Sequence, residues 1–402
     1  MYDFLNTLSG LIWGPITLIL ILGTGIFLSL GLKGFTFTYI LIAFKQIFKK
    51  DEKTTDGEIT SFQSLTTALS ATVGTGNIAG VATAIYIGGP GAVFWMWVSA
   101  LFGMATKYAE AFLAIKYREK NANGETVGGP MYYIKNGLSK NYIIFAYLFA
   151  LAGMIAALGI GNGVQVNSVS QVIESEFGIP SFTVGIFIAL LVALVILGGI
   201  KSIGKITSKL VPLMSAIYIL GGLWIIVLNY TEVTYIFNLI TTSAFTSTAA
   251  TGGFAGATVW MALRYGVARG VFSNEAGLGS SPIAHAAANT NNPAKQGMIS
   301  MLEPLIDTLI VCTITAFVIL MSNLWIGEIN GAVLTVASFE QLLSNGKYIV
   351  IFGLILFSFS TIIGWSYYGE KCAEFLFGSQ IIIYYRILWV IIIPVAAIIE
   401  LN

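Results

Sequence analysis

The run Ser70-Ala71-Thr72-Val73-Gly74-Thr75-Gly76-Asn77-Ile78-Ala79-Gly80 constrains this chain more than any other stretch. It lies inside an apolar segment, 62–87, long enough to cross a ~30 Å hydrocarbon core. A spanning helix has to satisfy its own backbone, because each unpaired amide in lipid costs several kcal/mol. Gly74, Thr75, Gly76 and Asn77 are nevertheless poor helix formers, glycine alone giving up about 1 kcal/mol against alanine. Open backbone at membrane depth is tolerated only inside protein or along a wet cavity. The segment therefore reads as a discontinuous helix whose broken middle holds a ligand. Close packing through Gly76 and Gly80 is the competing explanation, but a packing seam has no use for the amide of Asn77 where the helix loosens.

The chain has 402 residues, 56% of them hydrophobic and 10% charged. Soluble domains carry about 25% charged residues, so this is an all-α polytopic membrane protein. A net charge of +1 gives no nucleic-acid footprint. Cys312 and Cys372 are isolated beside apolar runs, and neither implies a disulfide framework. His285 is the single histidine, which excludes a metal site of the H-E-x-x-H kind. The first apolar segment is too long for a signal peptide, and its flank carries Asp3 and no basic residue.

Segments of spanning length lie at 11–32, 62–87, 91–115, 142–172, 181–199, 210–229, 257–288, 300–326, 348–368 and 380–400. A basic amphipathic stretch, 33–53, follows the first. Gly128-Gly129-Pro130-Met131-Tyr132-Tyr133-Ile134 reads as a short interfacial helix, and 333–343 as a short helix in an external loop. No soluble domain interrupts the bundle, which is a single transmembrane domain over 1–402.

Basic residues fix the orientation. Lys33, Lys45, Lys49, Lys50 and Lys53 follow the first span. Lys107, Lys116, Arg118, Lys120, Lys135 and Lys140 close the third or follow it. Lys201, Lys205 and Lys209 follow the fifth, Lys295 the seventh, and Lys371 and Arg386 flank the loop after the ninth. The alternate loops hold Glu174, Glu176, Glu232, Glu328 and Glu340, with Lys347 the only base. The expected arrangement is a multi-pass protein of the cell membrane with its amino terminus outside.

The seventh segment is interrupted too, by Phe272-Ser273-Asn274-Glu275-Ala276-Gly277-Leu278-Gly279-Ser280-Ser281-Pro282. Two broken spans five helices apart are the sign of an inverted-repeat transporter with its site at the midplane. The repeats would then occupy 62–229 and 257–400, with 11–32 an extra amino-terminal helix.

Ala68 to Ala82, Gly88-Gly89-Pro90-Gly91-Ala92 with Trp95-Met96-Trp97, Gly128 to Tyr133, and Gly270 to Ala286 together resemble the alanine or glycine:cation symporter family. The resemblance covers most of the chain. It implies a leucine-transporter-type fold, one extra helix before five plus five inverted helices, and sodium-coupled uptake of small amino acids. It also implies eleven helices where ten segments are found; either two spans are merged or the last is missing, and a truncated carboxy terminus is favoured.

By the same resemblance, the run V-G-x-G-N falls on Val73-Gly74-Thr75-Gly76-Asn77. Free amides at Thr75, Gly76 and Asn77 would take the substrate carboxylate. The Thr72 carbonyl and the Asn77 side chain would face one sodium (Na+) position, and the Ser70 and Val73 carbonyls another. Ser360 and Thr361 of the ninth span would complete the second position, unless each hydroxyl bonds back to its own helix. Trp365, one turn on, would leave room only for hydrogen or methyl as a side chain, or else is an ordinary packing residue. Gln165, among the amides Asn162, Gln165 and Asn167, is a candidate substrate contact, with interhelical bonding the alternative. Ser273 and Asn274 are candidate contacts on the seventh span.

Glu275 and Asp307 are carboxylates inside spans and so mark functional sites by default. For Glu275 an ion pair with Arg269 or Arg264 that holds a gate shut is favoured over proton carriage. Asp307 would neutralise a bound sodium or pair with an inner cation. His285 reads as a hydrogen-bonded packing residue. The leading expectation is sodium-driven symport of alanine or glycine by alternating access. The rival is proton coupling through Glu275 or Asp307, with a channel and an integral-membrane enzyme further behind.

Overall fold

The computed structural model describes residues 10, 12–49, 56–247 and 257–399; Asp3, Lys50 and Lys53 lie outside them. Helices occupy every apolar segment. In chain order they are α1 Pro15–Gly31, α2 Ile40–Phe48, α3 Ser61–Thr72, α4 Ala79–Gly88, α5 Gly91–Lys116, α6 Pro130–Gly137, α7 Lys140–Phe177 and α8 Ser181–Ile196. Then follow α9 Gly199–Leu228, α10 Val233–Ser243, α11 Val259–Asn274, α12 Pro282–Ala286, α13 Pro293–Ser322, α14 Gly331–Leu342, α15 Lys347–Phe377 and α16 Ile381–Ala397.

Among the described residues, α5, α7, α9, α13 and α15 are long and apolar enough to cross a membrane. Segments α3 and α4 make a sixth span when taken as one bent helix. Helices α1, α8 and α16 are apolar but shorter. Helix α11 falls outside this set although it heads an expected span, since it is only 16 residues long and carries Arg264 and Arg269. The three non-spanning segments appear as α2, α6 and α14. Several helices outrun their apolar stretch on the lysine-rich side: α9 begins at Gly199, ahead of Lys201, Lys205 and Lys209, and α15 runs on through Lys371.

Helices α13 and α15 are the most enclosed, whereas α7 turns most of its surface outward, as a helix bordered by lipid does. Glycines set the closest approaches. A Cβ on Gly266 would lie 2.3 Å from the Ala92 carbonyl oxygen, and one on Gly270 would lie 2.2 Å from Ser99 Oγ. Those two glycines, one turn apart, let α11 lie directly on α5.

A buried ionic network ties the lysine-rich half together. Lys107 of α5 pairs with Glu303 of α13 at 2.9 Å and donates to Ser281 at 2.9 Å. His285 Nε2 meets the same glutamate at 2.5 Å, and its Nδ1 faces Gln296 at 2.6 Å. Gln296 in turn donates to Ser64 of α3 at 2.7 Å. His285 is thus a hydrogen-bonded interior residue, as expected. Four segments are pinned by side chains with no exposed surface, and breaking one partner of such a pair costs about 3–5 kcal/mol.

Candidate functional site

Helix α3 stops at Thr72. Val73 (φ −76°, ψ 92°) and Gly74 (φ −142°, ψ −153°) are extended, Thr75–Asn77 form a single tight turn, and the chain resumes as α4 bent by 58°. The Gly74 N–H, which would have closed the helix on Ser70, donates instead to Asn77 Oδ1 at 2.8 Å. Asn77 therefore caps the break from within. Thr75 N donates to Gln165 Oε1 at 3.2 Å, which brings the fourth span to the same gap. On the far side the Ile78 carbonyl accepts from Thr335 of α14 at 3.1 Å, so the loop helix reaches the break as well.

The second interruption lies opposite. Helix α11 ends at Asn274 because Glu275 takes a left-handed φ of 56°, and Gly277 and Gly279 follow with positive φ. The two breaks touch. A Cβ on Gly76 would sit 3.5 Å from Ser273 Cα and 3.6 Å from Phe272 Cδ1.

Between them stands Asp307, fully buried in a widened turn of α13 spanning Leu305–Cys312. Its Oδ1 accepts from Asn77 Nδ2 at 2.6 Å. Its Oδ2 accepts from Ser273 Oγ at 2.8 Å and from Thr308 Oγ1 at 2.7 Å. Asn274 Nδ2 donates to Thr308 Oγ1 at 3.1 Å, and Cys312 Sγ lies 3.3 Å from both Asn77 Nδ2 and Ser273 Oγ. All the bonded partners of this carboxylate are neutral. Of the two roles expected for Asp307, pairing with an inner cation is not seen among the described residues, and the nearby Lys107 is engaged by Glu303. Thr308 and Cys312 were not expected at the site; Thr308 is the chain neighbour of Asp307, and Cys312 closes the same widened turn.

Thr361 of α15 donates to the Val73 carbonyl at 3.4 Å. Gly74 makes this possible, since a Cβ there would lie 2.6 Å from Thr361 Oγ1. Ser360 does not join it: its hydroxyl bonds back to Phe357 O at 2.9 Å. Ser70 and Thr72 likewise turn their hydroxyls to Thr67 O and Leu69 O, one turn back in their own helix. Trp365 packs over Gly161, where a Cβ would come within 2.3 Å of its own, and shares an apolar cavity of about 270 Å3 with Phe272 and Tyr368. Asn162 and Asn167 serve interhelical bonding, donating to Trp389 O and Ile399 O next to or within α16.

One expectation is overturned. Glu275 pairs with neither Arg264 nor Arg269. Its carboxylate accepts from Ser280, while Arg264 lies over Tyr265 and Arg269 over Phe272. The left-handed turn at Glu275 throws its side chain toward the lysine-rich half and leaves the arginines behind.

A multi-pass helical protein whose interior polar groups gather where two helices break is built as a membrane transporter. The comparisons agree. The sequence matches the sodium:alanine symporter family over residues 1–402, and the chain belongs to that family. Sodium/alanine symporter AgcS of Methanococcus maripaludis is 51% identical over 397 residues, covering 97% of this chain and 87% of that one. YrbD of Bacillus subtilis, whose name assigns it provisionally as a sodium/proton-dependent alanine carrier protein, is 39% identical over 94% of this chain and 79% of its own. A crystal structure of a mutant Eremococcus coleocola manganese transporter aligns with TM-score 0.51 over 85% of this chain and 74% of that one. At 14% identity that likeness is one of fold alone.

Proposed function

We propose that this protein is a sodium-coupled symporter of small neutral amino acids, alanine first and glycine with it, working by alternating access. The observation that carries the reading is the junction of Gly76, Asn77, Ser273 and Asp307 at two helix breaks. The substrate carboxylate is assigned to the amides of Thr75, Gly76 and Asn77, where an outer half-helix begins and its dipole favours an anion. The expected free amides are not all free, since Thr75 N–H donates to Gln165 Oε1 and Asn77 N–H to the Gly74 carbonyl, and both would turn to the substrate on binding. Gln165, Ser273 and Asn274 border that position, and Trp365 limits the side chain. One sodium is assigned to the Thr72 carbonyl and Asn77 with Asp307 as counter-charge, since a hard cation takes oxygen ligands. A second is assigned to the carbonyls of Ser70 and Val73 with Thr361. Ser360 would join only by releasing its own helix.

In this reading the chain holds a five-helix repeat, 62–229, and four helices of an inverted second repeat, 257–400, after an extra helix at 11–32, in the cell membrane with the amino terminus outside. A zwitterion moves no net charge, so the ion supplies the drive. One charge crossing 100 mV releases about 2.3 kcal/mol, enough for roughly fifty-fold accumulation.

A second reading, proton coupling, draws on the same carboxylate. Asp307 meets only neutral donors, and protonation would balance its charge as a cation would. Alanine uptake into proteoliposomes decides between them. A sodium gradient at equal pH drives accumulation under the first reading. Accumulation driven by a pH gradient without sodium would establish the second.

A further inference from the structure

Arg264 and Arg269 are half-buried on α11, in the half of the molecule poor in lysine, above the point where that helix breaks. Both face one cavity of about 260 Å3 whose walls include Trp13, Tyr265 and Phe272. Among the described residues neither guanidinium makes an ion pair or a hydrogen bond; each only lies over an aromatic ring, at 5.6 Å from Tyr265 and 5.8 Å from Phe272. Arginine stays charged at any accessible pH and presents a planar fork of donors matched to a carboxylate. Two such forks on a membrane helix, sharing a cavity with no acid paired to them among the described residues, offer a site for an anion.

The floor of the cavity gives the anion its purpose. Phe272 closes it below, and the same ring lies 3.6 Å from where a Cβ on Gly76 would be. A single aromatic side chain therefore separates the arginines from the break. We infer that Arg264 and Arg269 form a carboxylate-binding subsite on the outer approach, which captures the transported amino acid by its carboxylate before Phe272 moves to admit it. This rests on the amino-acid symport proposed above. A lipid headgroup phosphate offers similar oxyanion chemistry, and the experiment separates the two.

The test measures alanine transport in both directions for wild type, Arg264→Gln/Arg269→Gln and the charge-keeping Arg264→Lys/Arg269→Lys. Uptake by intact cells reads the outer approach, and uptake by everted membrane vesicles reads the inner one. The glutamine variant is expected to raise KM in cells by about tenfold, the scale of one lost charge-assisted hydrogen bond. Its KM in vesicles and its maximal rate stay near wild type, and the lysine variant recovers much of the loss. An unchanged KM in cells, or an equal rise in both directions, overturns the subsite. Alanine binding to delipidated protein in detergent should show the same loss; a loss confined to lipid bilayers assigns the cavity to a headgroup and overturns it too. If wild type carries no alanine, the symport reading fails, independently of these variants.

Discussion

Asn77 and Asp307, 230 residues apart, are joined by a 2.6 Å hydrogen bond from amide Nδ2 to carboxylate Oδ1. The other end of the same amide holds the Gly74 N–H at 2.8 Å. One side chain thus stabilises the break in the second span and ties it to the widened turn of α13. Removing it leaves two buried groups unsatisfied, at about 1–3 kcal/mol each.

Asn77→Ala should accordingly abolish sodium-dependent alanine uptake, with a fall of at least about thirtyfold, the smallest sum of those two losses expressed as an equilibrium. The fold should survive, because α3 and α4 each keep their own packing. Uptake and thermal melting measured on one preparation separate the effects. Wild-type uptake in this variant would remove Asn77 from the site.

Gly74→Ala tests the junction from the backbone. The added methyl would lie 2.6 Å from Thr361 Oγ1 and 3.2 Å from Gln165 Oε1, so α15 or the break has to shift. We expect loss of transport with little loss of expression. Thr361→Val, which keeps the volume and removes the hydroxyl, should raise the sodium concentration for half-maximal uptake by about tenfold, the effect of one ion ligand worth ~1.4 kcal/mol. A sodium titration of uptake reads both.

Trp365→Leu should widen the substrate range. The indole packs against Gly161 and walls the cavity it shares with Phe272. A smaller residue frees volume on that side, so serine, valine or leucine should begin to compete with labelled alanine. A competition panel unchanged from wild type would make Trp365 a packing residue only.

Glu303→Gln should lower the melting temperature, since it leaves Lys107 charged and buried. The expected cost is about 3–5 kcal/mol, and pairing it with Lys107→Met should restore part of the loss. Thermal unfolding of the purified single and double variants gives the comparison.

The two broken helices were legible because glycine, threonine and asparagine in sequence are poor helix formers whatever surrounds them, and the long apolar runs located the helices around them. What joins distant helices was less so. Nothing local to Glu303 announces that Lys107 and His285 converge on it, and nothing near Thr335 says that a loop helix reaches the Ile78 carbonyl. The Glu275–Arg269 pairing failed for a backbone reason: α11 ends at Asn274, and the left-handed turn at Glu275 carries its carboxylate to Ser280. Ser360 and Thr361 were indistinguishable in sequence, and only helix rotation selects Thr361 for Val73.

The central claim is that the gap between the two breaks holds the amino acid and its ion. The most direct measurement is a high-resolution structure of the protein soaked with alanine and sodium, compared with one prepared in potassium without substrate. The account predicts that, with sodium, the two breaks part where Gly76 and Ser273 now touch and alanine density appears there, its carboxylate on the amides of Thr75 to Asn77. Continuous protein packing across that gap, with alanine bound elsewhere, would contradict it.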